Sequence, residues 1–298
     1  ERLDMKKYAP VLRAHYGQER VKEEDSRHSE EVLLEVKDVS FRYENVQALK
    51  DVSFSVRKGE RISVIGKNGA GKSTLAKLLC GIIRPESGSV EFRGTNCLQY
   101  SIRELGRLIG YVMQNPNQMI VKDIIYDEVS LAMTLNGASE EEIRNECGNA
   151  LKMCDLYGMR NWPVSVLSYG QKKRVTIASI LCLHPEVIIV DEPTAGQDYR
   201  HYTEIMNFLE KLNRDYGITI LFITHDMHLA IEYTDRSLVF ADGELIADDR
   251  VSRVLSDEAV IRKANLKQTS LVHLAKQSGL DPEQFIHAFI REERSQRS

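Results

Sequence analysis

Long apolar runs are missing from this 298-residue sequence. Its most hydrophobic stretches, such as EVIIV and ILFIT, have the length of single strands and fall far short of the roughly 20 residues a helix needs to cross a bilayer. Neither sign of charge dominates: 40 Lys and Arg stand against 44 Asp and Glu, a formal net charge of −4. A chain so balanced has no global electrostatic footprint for nucleic acid, so any anion site must be local and built from a few residues. Cysteine is scarce. The five, at positions 80, 97, 147, 154 and 182, are odd in number and lack paired CxxC spacing, which predicts reduced cytosolic thiols and no metal knuckle. No basic segment followed by an apolar core and a cleavage site opens the chain, so secretion is not expected. The first residue is Glu1 and not Met, which fits a processed terminus or a piece excised from a longer protein, the second being the expectation. With 42% hydrophobic and 28% charged residues the chain is not disordered throughout, and its length accommodates one large α/β domain plus a smaller appendage.

The texture changes twice along the chain. Residues 1–31 are dominated by charge and offer little to a core, which predicts a charged linker. From Leu33, LLEVKDVSFRY and ALKDVSFSV alternate apolar and polar residues as half-buried antiparallel strands do. RISVIG then reads as a buried strand, KSTLAKLLCGII as a helix, GSVEFRG and LIGYVMQ as further strands, and residues 122–182 as helical. EVIIVDEP and ITILFITHD are short apolar strands on either side of a helical stretch, a βαβ pattern that predicts a parallel sheet. In such a sheet the carboxyl ends of the strands converge on the ligand crevice. SLVFADGELIADD reads as a hairpin turning at Asp242 and Gly243. The expected organisation is a linker over 1–31, an α/β domain over 32–245 and a helical appendage over 246–298.

Four strand ends carry polar residues suited to phosphate chemistry. Gly66-Lys67-Asn68-Gly69-Ala70-Gly71-Lys72-Ser73 fits GxxxxGK[ST] in full and lies between a buried strand and an apolar helix that continues with Thr74. Its glycines let the loop curl so that backbone N–H groups point at phosphate oxygens, Lys72 adds a point charge, and Ser73 an oxygen for Mg²⁺. Asp191 closes VIIVD as a candidate Mg²⁺ ligand, and Glu192 beside it faces the other way as a candidate for polarising the attacking water. Two acids at a strand end otherwise form a solvated turn; the phosphate loop tips the reading toward a nucleotide hydrolase. His225 in ITHD ends another strand as a candidate for γ-phosphate contact, and Gln114 after IGYVM as a candidate for Mg²⁺ or the water. In VLSYGQKKR, Ser168 is placed to cap a helix, Gly170 to admit a ligand near its first turn, and Lys172, Lys173 and Arg174 follow. That stretch alone does not separate an anion site from an ordinary basic turn.

With those motifs in this order, residues 32–245 resemble the ATP-binding cassette (ABC) ATPases. The resemblance rests on the phosphate loop at 66–73, the Q-loop at Gln114, LSYGQ at 167–171, IIVDE at 188–192, AGQD at 195–198 and the switch histidine His225. It implies a P-loop NTPase fold with an antiparallel β subdomain, a helical signature subdomain and a C-terminal helical appendage. It implies ATP and Mg²⁺ as cofactors, with Ser73, Gln114 and Asp191 at the metal and Tyr43 stacking on adenine, although Tyr43 also reads as one more strand aromatic beside Phe41. It further implies that Ser168, Gly170, Gln171 and Asp198 face ATP held by a second ABC domain. Tyr169 departs from the more usual Leu-Ser-Gly-Gly-Gln, and Gln197 stands where an apolar residue is common. The expectation is that the tyrosine ring points away from phosphate. Within the family, QNPNQMIVKDIIYDEVSLAM and the tail ANLKQTSLVHLAKQSGLDPEQFIHAFI look like energy-coupling-factor (ECF) importers of vitamins or transition-metal ions. A tandem two-ATPase chain, docking of residues 114–135 on integral membrane subunits and a peripheral place on the cytoplasmic face follow as expectations. The competing class is a soluble ABC ATPase acting on ribosomes or DNA. Against it stand an ordinary Q-loop-to-signature gap and the lack of a basic tract, so no nucleic-acid partner is expected.

Overall fold

A computed structural model describes residues 5–17, 29–194, 199–267 and 269–297. After helix α1 (Met5–Tyr16) come β1 (Val32–Tyr43), β2 (Val46–Arg57), β3 (Arg61–Gly66), α2 (Lys72–Leu79), β4 (Ser87–Phe92), β5 (Thr95–Asn96), α3 (Ile102–Leu108) and β6 (Ile109–Val112). The middle of the chain supplies α4 (Ile125–Leu135), α5 (Glu140–Met153) and α6 (Tyr169–Leu181). Then β7 (Val187–Asp191), α7 (Tyr199–Tyr216), β8 (Thr219–Thr224), α8 (Met227–Tyr233), β9 (Arg236–Ala241) and β10 (Glu244–Arg250) complete the sheet. Four helices follow: α9 (Val251–Ser256), α10 (Glu258–Lys263), α11 (Ser270–Ser278) and α12 (Pro282–Arg297).

Two sheets result. The first is antiparallel, in the order β2-β1-β4-β5, and its alternating residues Leu34, Val36, Leu49, Val52 and Val56 are buried as the sequence pattern predicts. The second runs β10-β9-β3-β8-β7-β6, with β9, β3, β8, β7 and β6 parallel. Its central strands are buried on both faces. In β7, Ile188 and Val190 pack into the helical layer of α4 to α7, while Val187 and Ile189 pack toward β1, β2 and α2. Because Val112 pairs with Val190, Asp191 with Ile223, Ile65 with Thr224 and Gly66 with Phe240, the carboxyl ends of five strands are brought into one register along one edge. The fold is the mixed α/β cassette that the motifs imply, with its antiparallel sheet and helical segments.

Two expected boundaries need correction. Residues 5–16 form a helix inside the segment read as a linker: Ala9 is buried, Leu12 and Tyr16 pack into the C-terminal cluster, and the Tyr16 ring meets Phe285 edge-on at 5.1 Å. The dense charge of residues 18–31 dominates the composition of the whole 1–31 segment, so the apolar positions within 5–16 do not stand out in it. The boundary at 245/246 cuts through β10, which pairs with β9, so the appendage helices begin at Val251. The appendage shares a core with Ile65 and Val239 of the main sheet. Asp242 and Gly243 form the expected hairpin turn, both with positive φ, 49° and 84°. The five cysteines are all buried and free.

Candidate functional site

The phosphate loop leaves β3 at Gly66 and enters α2 at Lys72. Two of its glycines are required by space as well as by backbone angle: a Cβ on Gly66 (φ +155°) would lie 2.3 Å from the Phe240 carbonyl oxygen, and one on Gly71 (φ +103°) 2.5 Å from that of Ala48. Gly71 precedes α2 in the left-handed conformation and offers no side-chain cap, so the first N–H groups of the helix have no side chain covering them. Lys72 is buried, and its ammonium donates to the carbonyls of Gly66 at 2.7 Å and Lys67 at 3.0 Å. Burial lowers its pKa, opposed by the charges of Glu192 and Asp191. Lys67 pairs with Asp242 across the hairpin turn at 2.6 Å. Ser73 is exposed and Thr74 buried; Tyr43 is 41% exposed, with its ring edge-on to Phe41 at 4.8 Å.

At the ends of β7 and β8 the two acids have separate partners. The Tyr111 hydroxyl, from the neighbouring strand β6, donates to Asp191 Oδ2 at 2.9 Å. Burial and the adjacent carboxylate hold the phenol pKa well above its usual value, which keeps the hydroxyl protonated as the donor. Glu192 stands in the left-handed region with φ 42°, a strained conformation for a non-glycine residue, fixed by its N–H donating to the Ile223 carbonyl at 2.8 Å. Its Oε1 lies 2.7 Å from His225 Nδ1, and Thr224 Oγ1 donates to Oε2 at 3.3 Å. A carboxylate only accepts, so Nδ1 of His225 carries the proton in this pair. The strand register thus brings together Lys72, Asp191, Glu192 and His225, four residues the sequence singled out. Tyr111 and Thr224 escaped sequence reading: each is an ordinary strand residue whose role appears only when the neighbouring strand is known.

The segment 167–174 takes a form different from a basic anion turn. Ser168 caps α6 in a full capping box, its Oγ accepting from the Gln171 N–H at 3.3 Å while Gln171 Oε1 accepts from the Ser168 N–H at 2.9 Å. Gly170 faces open space. All three basic residues are turned elsewhere: Lys172 to Asn117 at 3.1 Å, Lys173 to the Gln114 carbonyl at 3.0 Å and Arg174 to Asp155 at 3.0 Å. Lys173 is fully buried, and burial pulls its pKa down to about 8 against the pull of Asp191 and Glu192. The Tyr169 ring, 38% exposed, places its hydroxyl 2.7 Å from the Gln114 carbonyl. The Gln114 residue itself is exposed after β6. The AGQD stretch, including Asp198, lies outside the described residues.

A phosphate loop, paired acids and a histidine along one edge of this fold define a P-loop nucleotide-binding domain. The model of the family described as ABC transporter matches residues 49–195. The solved structure of cbiO1 from Clostridium perfringens, part of the ABC transporter complex cbiONQ, superposes with a TM-score of 0.72 at 36% identity, covering 83% of this chain and 100% of that one. A dimeric ATP-binding cassette in a post-hydrolysis state, bound to ADP and Pi, superposes with a TM-score of 0.64 at 29% identity over 74% of this chain and 99% of its own. A putative ABC transporter ATP-binding protein of Clostridium perfringens is 52% identical over 271 residues, 90% of this chain and 48% of its own length. The chain belongs to the ABC transporter ATP-binding family, whose cassettes are ATPases coupled to transport. It spans about half the length of the curated relatives it matches.

Proposed function

We propose that the chain is one cassette of a two-cassette ATPase that powers import through an ECF-type membrane complex, with a vitamin or a transition-metal ion as the class of cargo. The observation that carries the hydrolytic part is the Glu192 carboxylate, held in a strained backbone conformation between Thr224 and His225 at the same sheet edge as Lys72. Glu192 takes the proton of a water as its oxygen bonds to the γ-phosphorus; the bond from that phosphorus to the β–γ bridging oxygen breaks, giving ADP and phosphate. His225 fixes the carboxylate, while Lys72 and the amides of residues 69–73 hold the β and γ phosphates. Asn68 and Thr74 belong to the same cradle, and Tyr43 offers a ring face to the adenine. The donors also fit Mg²⁺. Ser73, Asp191 and Gln114 offer hard oxygen atoms, Tyr111 steadies one oxygen of Asp191, and the described residues form no closed cage of three or more His, Cys, Asp or Glu, as suits an ion that keeps waters and shares phosphate oxygens. When bound it neutralises charge on the phosphates.

Ser168, Gly170, Gln171 and Asp198 serve ATP held by a second cassette, and the half-length match to the curated relatives supports a tandem partner in the same polypeptide. The ECF reading rests on the Q-loop and tail stretches, supported by the likeness to cbiO1. No helix among the described residues is long and apolar enough to cross a membrane. A peripheral place on the cytoplasmic face, docked on integral subunits, goes with the ECF-type reading and is supported by the likeness to cbiO1, part of a transporter complex. Val121 and Trp162, 69% and 52% exposed, lie on segments joined by the Ile124–Pro163 bridge and supply an apolar face beside the Q-loop for that contact. Capture of the full-length protein from detergent-solubilised membranes tests the reading. Integral membrane subunits in stoichiometric yield are expected; recovery of ribosomes, RNA or DNA in their place would overturn it in favour of a soluble ABC ATPase.

A further inference from the structure

Two donors from α6 meet on a single carbonyl of the Q-loop. The Tyr169 hydroxyl donates to the Gln114 carbonyl oxygen at 2.7 Å, and the Lys173 ammonium donates to the same atom at 3.0 Å. The pair is spaced i, i+4, so both side chains rise from one face of the helix. They reach across 55 and 59 residues of sequence. Lys172 adds a neighbouring tie to Asn117, three residues further along the same loop.

A carbonyl oxygen has two lone pairs, and two donors saturate it. The peptide plane at Gln114 is therefore fixed to α6, while the Gln114 side chain beyond it remains free to reach the reacting phosphate. Lys173 is fully buried, so the carbonyl also satisfies a charge that burial would otherwise penalise. The glycine usual at position 169 has no side chain with which to make the second bond. We propose that Tyr169 is a positioning residue: with Lys173 it locks the Gln114 backbone to α6, so that the aim of Gln114 at this chain's own nucleotide follows the helix that faces the partner cassette's nucleotide. The idea rests on the two-cassette reading above and adds to it a route by which occupancy at Ser168 and Gly170 is felt at Gln114.

The test uses the full-length chain assembled with its membrane subunits. Two quantities are measured, steady-state ATPase kinetics and backbone amide hydrogen exchange in the nucleotide-free complex. Tyr169→Phe keeps the ring and removes only the hydroxyl. It should lower kcat about fivefold, the equivalent of one ordinary hydrogen bond, with KM for ATP within about twofold of the parent. Exchange should quicken at residues 113–119 and stay unchanged along residues 174–181, which separates a released loop from a damaged helix. Because the remaining donor holds the carbonyl only in part in each single variant, Tyr169→Phe combined with Lys173→Met should lose more than the product of the two single losses. Unchanged kcat with unchanged exchange at 113–119 would overturn the proposal, as would a rise in KM at constant kcat. Glu192→Gln, assayed in parallel, separates the two levels. If it abolishes hydrolysis while Tyr169→Phe is silent, only the lock is wrong; if it hydrolyses normally, the assignment of the hydrolytic site fails, and exchange at 113–119 still decides the lock.

Discussion

Two helix starts in this molecule are built toward phosphate in opposite ways. At α2 the preceding loop is glycine with positive φ, no side chain caps the helix, and a buried lysine stands over the opening. At α6 the helix is already capped by Ser168 and Gln171, and its three basic residues point away along its flank to Asn117, Gln114 and Asp155. The first supplies open N–H groups together with a countercharge; the second supplies a few exposed donors and no charge aimed at a ligand. A helix dipole alone is worth about a kilocalorie per mole or less at an exposed end, so α6 cannot retain a polyphosphate by itself, whereas α2 and its loop can. On the proposed two-cassette reading, one start is a complete site and the other is half of one, completed by a second cassette.

This contrast breaks or sharpens under four substitutions. Glu192→Gln, at the edge served by the complete site, should lower single-turnover phosphate release in the assembled pair by roughly a thousandfold, the size of a lost general base, while ATP remains bound. Ser168→Arg should cost roughly a hundredfold in turnover of the assembled pair, comparable to loss of a preorganised donor. Titration of ATP onto the isolated chain carrying that change should give the parent affinity; a weakened affinity there would mean that α6 serves this chain's own nucleotide. Lys72→Ala should do the reverse, weakening ATP binding to the isolated chain by roughly ten- to a hundredfold, the value of a charge-assisted hydrogen bond. Smallest is Tyr43→Ala, for which stacking energies of about 0.5–1.5 kcal/mol predict a rise in the dissociation constant for ATP of roughly two- to thirteenfold, with no loss for a nucleotide-free polyphosphate. Equal losses for both ligands would remove Tyr43 from the base platform.

The local geometry of the phosphate loop and the Ser168 cap were legible in the sequence; the contacts that turn Tyr169, Lys172, Lys173 and Arg174 aside were not. Phosphate-loop spacing is local, so Gly66 to Ser73 declare themselves, and Asp191, Glu192 and His225 follow once strand ends are known to gather on one edge. The alternation in β1 and β2 is equally local. What escaped depends on strand order and on contacts between distant segments. Tyr111 reaches Asp191 because β6 lies beside β7, although 80 residues separate them in sequence. The tyrosine in LSYGQ was expected to turn away from phosphate; the observed bond to Gln114 assigns it a partner that helix periodicity cannot show. Lys173 reads as a surface charge in any composition count, yet it is fully buried. The burial of Ala9, Leu12 and Tyr16 likewise depends on a partner helix at the other end of the chain.

That last contact sets an order of assembly. Tyr16 hydrogen-bonds Glu292 across 276 residues, so α1 leaves the ribosome well before the segment that receives it. At translation speeds of about 5–20 residues per second the wait is roughly 14 to 55 s, long compared with the folding of an α/β domain. During that interval a 12-residue helix containing Pro10 has too little intrinsic stability to persist by itself. The helix is therefore completed by docking: it acquires its packing only once α11 and α12 exist to receive it.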